Sequence, residues 1–199
     1  MKLSAEDLHA VLLIFREHLI SCWRQFHAEI PHGMPLAFPG TVPQVPSAMM
    51  CQQTTAFLYR QFERLGIEDV EPCGGAMRHS ESLERVDPSR RDVDSEGYVW
   101  AAHYWLEHNG LVIDITKDQF GWDFDHIHDS ESAGLIYWKR PDFFPVSDLG
   151  MFAVAVSKFE GTLPSLGGND HSHWVGRSYA LAMERAAAVL EDPSARLRN

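Results

Sequence analysis

The sequence predicts a mixed fold of α-helices and antiparallel β-strands, and three observations lead to that prediction. Apolar residues recur at three-and-four spacing near the N-terminus, and an Ala-rich helical segment lies near the C-terminus. Between them, an Asn-Gly dipeptide separates two apolar, β-branched runs. At 199 residues the chain suits one domain, so we expect a single folding unit over 1–199.

The first helix is predicted within 1–30. Ser4, followed by Glu6 and Asp7, is typical of a helix start, and Pro31 ends the periodic pattern. The predicted buried stripe consists of Leu8, Val11, Leu12, Phe15, Leu19, Cys22, Trp23 and Phe26. A C-terminal helix is predicted over 171–191, and its end is marked by Asp192-Pro193.

A second helix is predicted after a proline-rich segment. Residues 31–46 contain five prolines and two glycines, which indicates an irregular segment or a linker. We expect the helix to begin near Ser47 and to end at Leu65, because Gly66 is a typical stop. Cys51 is therefore predicted at the start of a helix.

Strands account for much of the remaining chain. We expect a strand over 67–77 interrupted by Gly74-Gly75, a charged loop over 78–94, a hairpin, a polar loop over 121–132, and short strands over 134–139 and 152–156.

Asn109-Gly110 determines how the two strands of the hairpin face each other. A two-residue Asn-Gly connection between runs 98–108 and 111–116 is typical of a type I′ turn. That turn places His103 and Asp114 as diagonal neighbours on one face of the sheet, within reach of each other's side chains. The register therefore predicts an imidazole–carboxylate pair.

The composition limits the classes of function. Lys and Arg total 17 against 28 Asp and Glu, a net charge of −11, which disfavours nucleic acid and anionic membranes as partners. No signal-peptide pattern is present at the N-terminus, and the three cysteines form no CxxC pair. We therefore expect a cytoplasmic protein without disulfides.

Cys51 combines with the imidazole–carboxylate pair to suggest nucleophilic chemistry. A helix N-terminus carries partial positive charge, which favours a thiolate, and the thiolate is the reactive form of cysteine. The alternative interpretation of Cys51 is a buried structural cysteine. An imidazole beside the thiol can take its proton, and a carboxylate such as Asp114 can orient that imidazole.

These pieces resemble the transglutaminase-like, papain-related cysteine superfamily. The resemblance lies in Cys51 at a helix start, Gly74-Gly75 in the next strand, the strand His103-Tyr104-Trp105-Leu106-Glu107, and Asp114-Ile115-Thr116. It covers a predicted catalytic core over 44–120, about two fifths of the chain. It implies an α+β fold in which an antiparallel sheet packs against a helix carrying the nucleophilic Cys51 at its N-terminus, with additional N- and C-terminal helices. It also implies Cys51 as nucleophile, His103 as general base and then acid, and Asp114 as orienter.

Further residues are candidates for binding the oxyanion or the substrate. Gln44 resembles the upstream glutamine of papain-like enzymes, and the backbone N–H of Cys51 is a second possible donor to an oxyanion. Trp105 and Gln119 complete the set. The alternative interpretation of Gln119, and the one we favour for a polar loop residue, is that it packs or caps a turn.

The prediction that follows is a thiol-dependent acyl-transfer enzyme without a cofactor, acting on an amide in a peptide, protein or small molecule. Peptidase, deamidase and transglutaminase chemistry all remain open. One alternative is an inactive peptide- or protein-binding module with an aromatic groove around Trp100, Trp105 and Trp122. The other is metal-dependent hydrolysis by an acidic, His-rich loop over 123–129 together with His171 and His173, although the spacing matches no zinc signature and we expect no metal.

Overall fold

The computed structural model describes residues 3–29, 45–82, 98–122, 127–129, 133–134, 136–140, 150–163 and 172–192. The helices are α1 (Ala5–Glu29), α2 (Cys51–Arg64), α3 (Gly150–Phe159) and α4 (Ser172–Glu191), with a 3-10 helix at Lys117–Phe120. The strands are β1 (Val70–Ser82), β2 (Tyr98–His108), β3 (Leu111–Ile113), β4 (Ile127–Asp129) and β5 (Tyr137–Lys139).

The first helix begins with a reciprocal cap, as the sequence predicts. The Asp7 N–H donates to Ser4 Oγ at 3.1 Å, and the Ser4 N–H donates to Asp7 Oδ2 at 3.3 Å. The apolar stripe of α1, apart from the partly buried Phe26, is buried against α4 and the rest of the helical layer. None of the described helices is both long and apolar enough to cross a membrane.

The five strands form one antiparallel sheet in the order β4-β3-β2-β1-β5. The predicted hairpin register is confirmed, because His108 pairs with Leu111 and Leu106 pairs with Ile113. Asn109 and Gly110 have φ of 49° and 78°, and a type I′ turn requires positive φ at both of its central residues.

Each face of the sheet is covered by its own apolar cluster. Leu106 and Ile113 belong to the larger cluster, which consists mainly of side chains from the helices. On this face of the sheet, α2 packs against β1 and β2. Trp105 and Val112 alternate with those residues and contact a smaller cluster with Tyr137 and other side chains. The α+β architecture is therefore confirmed.

Several predicted boundaries are wrong. The helix α2 begins at Cys51 and not near Ser47. β1 runs through Gly74-Gly75 without interruption and continues to Ser82, with an irregularity in its pairing with β2 between Arg78 and Ser82. β3 ends at Ile113, and β4 lies inside the predicted polar loop over 121–132.

The largest error concerns 152–156, which was expected to be a strand and lies within α3. Phe152, Ala155, Val156 and Phe159 are all buried, at helical spacing, against α2 and α4. The β-branched composition favoured a strand, but packing of that helical face decides the structure.

Candidate active site

The imidazole–carboxylate pair predicted from the hairpin is present in the structure. His103 Nε2 lies 2.7 Å from Asp114 Oδ2, and the two residues are 0% and 3% exposed. Asp114 follows directly after β3, while His103 lies on β2, so the short Asn109-Gly110 turn brings them together. The contact is a charge-assisted hydrogen bond shielded from water.

Both oxygens of Asp114 have further donors. Oδ1 accepts hydrogen bonds from the Thr116 backbone N–H and from Thr116 Oγ1, each at 2.8 Å. Oδ2 also accepts one from the Tyr137 hydroxyl at 2.9 Å. Four donors therefore compensate for the burial of this carboxylate, which would otherwise be costly.

The two groups of the pair stabilise each other's charges. Burial lowers the pKa of His103, but the charges of Asp114 and Cys51 and the hydrogen bonds to both more than offset it and raise the pKa to about 10. Burial raises the pKa of Asp114, but the His103 charge and the hydrogen bonds from His103 and Thr116 lower it to about 2. At neutral pH the pair is an imidazolium and a carboxylate.

Aromatic rings fix the orientation of His103. The Trp105 ring is stacked on the imidazole with centroids 6.3 Å apart, and the Phe120 ring meets it edge-on at 4.9 Å. Gly75 pairs with His103 across the strands; a Cβ on Gly75 would collide with the Trp138 carbonyl oxygen and lie 2.9 Å from the Trp105 ring. A glycine is needed here because the neighbouring strand and the indole approach so closely.

Cys51 lies beside the His103 imidazole. The charge of Cys51, and the interaction in which its sulfur accepts from the protonated imidazole, both raise the pKa of His103. Because Nε2 is bonded to Asp114, the remaining ring nitrogen is Nδ1, which is buried and makes no hydrogen bond of regular geometry with the described residues. The structure therefore brings Cys51, His103 and Asp114 together.

Accessibility distinguishes Cys51 from the other two cysteines. Cys51 is half-buried, whereas Cys22 and Cys73 are buried. Burial raises the pKa of the Cys22 thiol to about 12, and burial together with the Glu107 charge raises that of Cys73 to about 12 as well. Of the three thiols, Cys51 is the one that both contacts an imidazole of high pKa and can be reached from outside.

Of the remaining predicted site residues, Trp105 and Gln119 interact with other residues of the protein. Trp105 is 1% exposed, so it packs against His103 and does not offer a substrate surface. Gln119 uses its amide within the protein: its Oε1 accepts from the Met49 N–H at 3.0 Å, and its Nε2 donates to the Thr116 carbonyl at 2.9 Å. Gln44 lies outside the described residues.

Two residues of the site were not predicted from the sequence. Tyr137 donates to Asp114, and Phe120 packs on His103. Tyr137 belongs to β5, which pairs with β1, so its alignment with the hairpin depends on strand order. The hydrophobic strand pattern around it gave no signal of that pairing.

The aromatic groove of the binding alternative is not assembled as predicted. Trp105 is in the core, and the Trp122 Nε1 donates to the Arg78 carbonyl at 2.6 Å. Trp100 instead meets the exposed Trp138 edge-on, with ring centroids 6.3 Å apart.

The acidic, His-rich loop of the metal alternative lies mostly outside the described residues. Elsewhere in the described residues, the ligand atoms of Glu71, Cys73 and Glu107 lie within 4.8 Å of one another. Lys139 Nζ donates to both carboxylates, at 3.2 Å and 3.1 Å, and supplies the positive charge of this cluster.

Comparison with protein-family models, with curated proteins and with solved structures gives no match. The geometry of the site is therefore the basis for inferring a function.

Proposed function

We propose that this protein is a thiol-dependent acyl-transfer enzyme that uses Cys51 as nucleophile, His103 as proton carrier and Asp114 as the residue that orients His103. The observation that carries the proposal is the buried His103–Asp114 pair at 2.7 Å, which lies beside the half-buried Cys51. A structural ion pair alone would not need an accessible thiol at its open end.

The charge state of the pair determines how the reaction begins. His103 is protonated at neutral pH because its pKa is raised to about 10. An imidazolium next to a sulfur stabilises negative charge on that sulfur. This stabilisation favours the thiolate form through which Cys51 would act as a nucleophile.

The chemistry follows in two halves. The Cys51 thiolate attacks the acyl carbon, a C–S bond forms, and the carbonyl electrons move onto oxygen. As the C–N bond breaks, the Nδ1–H of His103 protonates the leaving amine and a thioester remains. Water or a second amine then loses a proton to His103 and attacks the thioester, which releases the thiolate.

The N-terminus of α2 is the candidate site for the oxyanion. The first backbone N–H groups of a helix have no partner within the helix, and Met50, the N-cap residue, provides no side-chain cap. Donors in this position can bind the oxygen of a tetrahedral intermediate formed on Cys51. The substrates determine the leaving group and the final acceptor. Hydrolysis and transfer therefore use the same residues of the protein.

Acyl trapping on Cys51 tests the proposal. We expect p-nitrophenyl acetate to release a burst of p-nitrophenolate and to leave an acetyl group on Cys51, detected by intact-protein and peptide mass spectrometry. Cys51→Ser should abolish the burst, and His103→Ala should slow it by about a hundred-fold or more. Cys22→Ser and Cys73→Ser are matched controls that should keep it.

The proposal is wrong if acetyl groups are found on Cys22 or Cys73 but not on Cys51. It is equally wrong if His103→Ala acylates at the rate of the parent protein. A second acceptor, hydroxylamine, should accelerate turnover after the burst if the intermediate is a thioester.

A further inference from the structure

The segment that leads into Cys51 is tied to the segment that follows Asp114. We call residues 45–50 the nucleophile loop. Its Ser47 Oγ donates to Asp118 Oδ1, and its Met49 N–H donates to Gln119 Oε1 at 3.0 Å. Both acceptors belong to the 3-10 helix that begins three residues after Asp114.

The acceptors are themselves held in place. Arg16 of α1 donates from Nη2 to Asp118 Oδ2 at 2.8 Å and from Nη1 to the Ile115 carbonyl. Gln119 donates from Nε2 to the Thr116 carbonyl at 2.9 Å. Arg16 is buried, with a side chain 8% exposed, so this ion pair is shielded from solvent.

The path from the orienting carboxylate to the nucleophile is therefore short and continuous. Thr116 holds Asp114 with two hydrogen bonds at 2.8 Å, and the Thr116 carbonyl receives the amide of Gln119. Gln119 in turn fixes Met49, two residues before Cys51. These hydrogen bonds lie within residues 114–119, except for the last one, which joins Gln119 to the nucleophile loop.

The loop has a backbone conformation that needs such support. Met49 has a φ of 62°, in the left-handed region that residues with a side chain rarely adopt. Its side chain is exposed, so packing does not hold this conformation, whereas its N–H is bound by Gln119. Strained backbone next to a reactive group persists when the surroundings determine it.

We propose that Asp118 and Gln119 are positioning residues that set the distance between Cys51 and His103. The proposal rests on the proposed function, since it concerns the same site. Its physical basis is that misplacement of a reacting group by about 1 Å can cost a hundred-fold in rate. Neither residue touches the reacting atoms, and each acts through the nucleophile loop.

The pH dependence of Cys51 alkylation by iodoacetamide tests this role. Peptide mass spectrometry gives the rate at about pH 6.5, where an ordinary thiol is mostly protonated, and at about pH 9.5, where it is ionised without help. Gln119→Met removes both amide contacts while keeping a side chain of similar length, and Asp118→Asn removes the charge that faces Arg16. We expect each variant to lose about ten-fold at the lower pH and less than two-fold at the higher pH.

Matched controls separate positioning from general damage. Glu63→Gln alters an exposed residue of α2 that pairs with Arg60 at 3.2 Å, and Ser178→Ala removes a partly buried hydrogen bond to His18 in the helical layer. Both should keep the profile of the parent protein. Circular dichroism and thermal unfolding establish that each variant is folded at the assay temperature, and Gln119→Met carries the test if Asp118→Asn does not fold.

The outcomes are distinguishable. A parent-like profile in Gln119→Met, or an equal loss at both pH values, overturns the positioning role and leaves the proposed function intact. A parent protein whose profile equals that of His103→Ala overturns the proposed function, and the positioning role with it.

Discussion

The described residues contain two cysteine–histidine pairs, and the surroundings of the two pairs differ. Cys51 and His103 meet where α2 begins, next to the sheet. Cys22 and His18 lie four residues apart on α1, with 3.5 Å between Cys22 Sγ and His18 Nε2. The two pairs contain the same functional groups, so any difference in chemistry comes from their neighbours.

The partners of the imidazoles differ in charge. His103 faces the Asp114 carboxylate, whereas His18 faces the Ser178 hydroxyl at 2.9 Å and the Phe159 carbonyl at 2.7 Å. Burial lowers the pKa of His18 to about 4, despite the Phe159 hydrogen bond and the Glu160 charge, which raise it. His18 is therefore neutral at pH 7 and His103 is charged.

The thiols differ in access as well. Cys22 is buried, and burial raises its pKa to about 12, whereas Cys51 is half-buried. We infer that an imidazole activates a neighbouring thiol in this protein only where a carboxylate stabilises the imidazolium and a reagent can reach the sulfur. The Cys22–His18 pair joins α1 to α3 and α4 and serves as an internal control.

The largest expected difference is in the labelling of the native protein. Iodoacetamide should modify Cys51 faster than Cys22 by about a hundred-fold or more, because Cys22 reacts only when the helices open. Timed quenching and peptide mass spectrometry measure both rates in one sample. In guanidinium all three cysteines should react alike, and native labelling of Cys22 at the rate of Cys51 would contradict the comparison.

Asp114→Asn should make the Cys51–His103 pair resemble the Cys22–His18 pair, because the imidazole would then face no carboxylate. His103 then loses the charge that faces it in the buried site, and we expect a loss of about 3 to 5 kcal/mol in the free energy of unfolding. Urea denaturation measures this loss. NMR titration of the His103 ring should show its pKa falling, and an unchanged pKa would mean that Asp114 is not the stabilising charge.

The two imidazoles should give stability opposite dependences on pH. The pKa of His18 is about 4 in the folded protein, so stability should fall as the pH drops from about 6.5 towards 4, by roughly 3 kcal/mol. The pKa of His103 is raised to about 10, so its contribution is fully present below about 6.5 and is lost as the pH rises through 10.

Substitution isolates each of these contributions. His18→Gln should flatten the acid side of the stability profile, and His103→Gln should flatten the alkaline side. Urea denaturation between about pH 4 and 10 provides the profiles. If His18→Gln altered the alkaline side instead, the assignment of the two imidazoles would be reversed.

The smallest expected effect compares one hydroxyl from each region. Tyr137→Phe removes a hydrogen bond to the charged Asp114, for an expected loss of about 1.5 to 3 kcal/mol, because charged acceptors bind more strongly. Ser178→Ala removes a hydrogen bond to the neutral His18, and we expect the free energy of unfolding to fall by about 1 kcal/mol. Equal losses in urea denaturation would show that Asp114 is not ionised in the folded protein.

The hairpin shows how far local sequence predicts this site. An Asn-Gly turn requires positive φ at two adjacent residues and thereby fixes the register, so the proximity of His103 and Asp114 could be derived from a dozen residues. The Cys22–His18 pair carried a similar local signal, since residues four apart share a helix face, but nothing local indicates that its imidazole is neutral.

Residues contributed by distant segments were not predictable in this way. Arg16 lies 102 positions before Asp118, and Tyr137 lies 23 positions after Asp114. Their contacts depend on how helices pack and on which strands become neighbours. The erroneous strand prediction at 152–156 has the same origin, because burial on α2 and α4 outweighed the β-branched composition.

The sequence by itself determined the helix start at Ser4, the hairpin and its register, and the pairing of one imidazole with one carboxylate, because each depends on backbone geometry within a few residues. The tertiary structure decided which histidine carries a charge, which cysteine is accessible and which residues hold the nucleophile loop. Those properties depend on burial and on charges from remote parts of the chain, which come together only when the core forms.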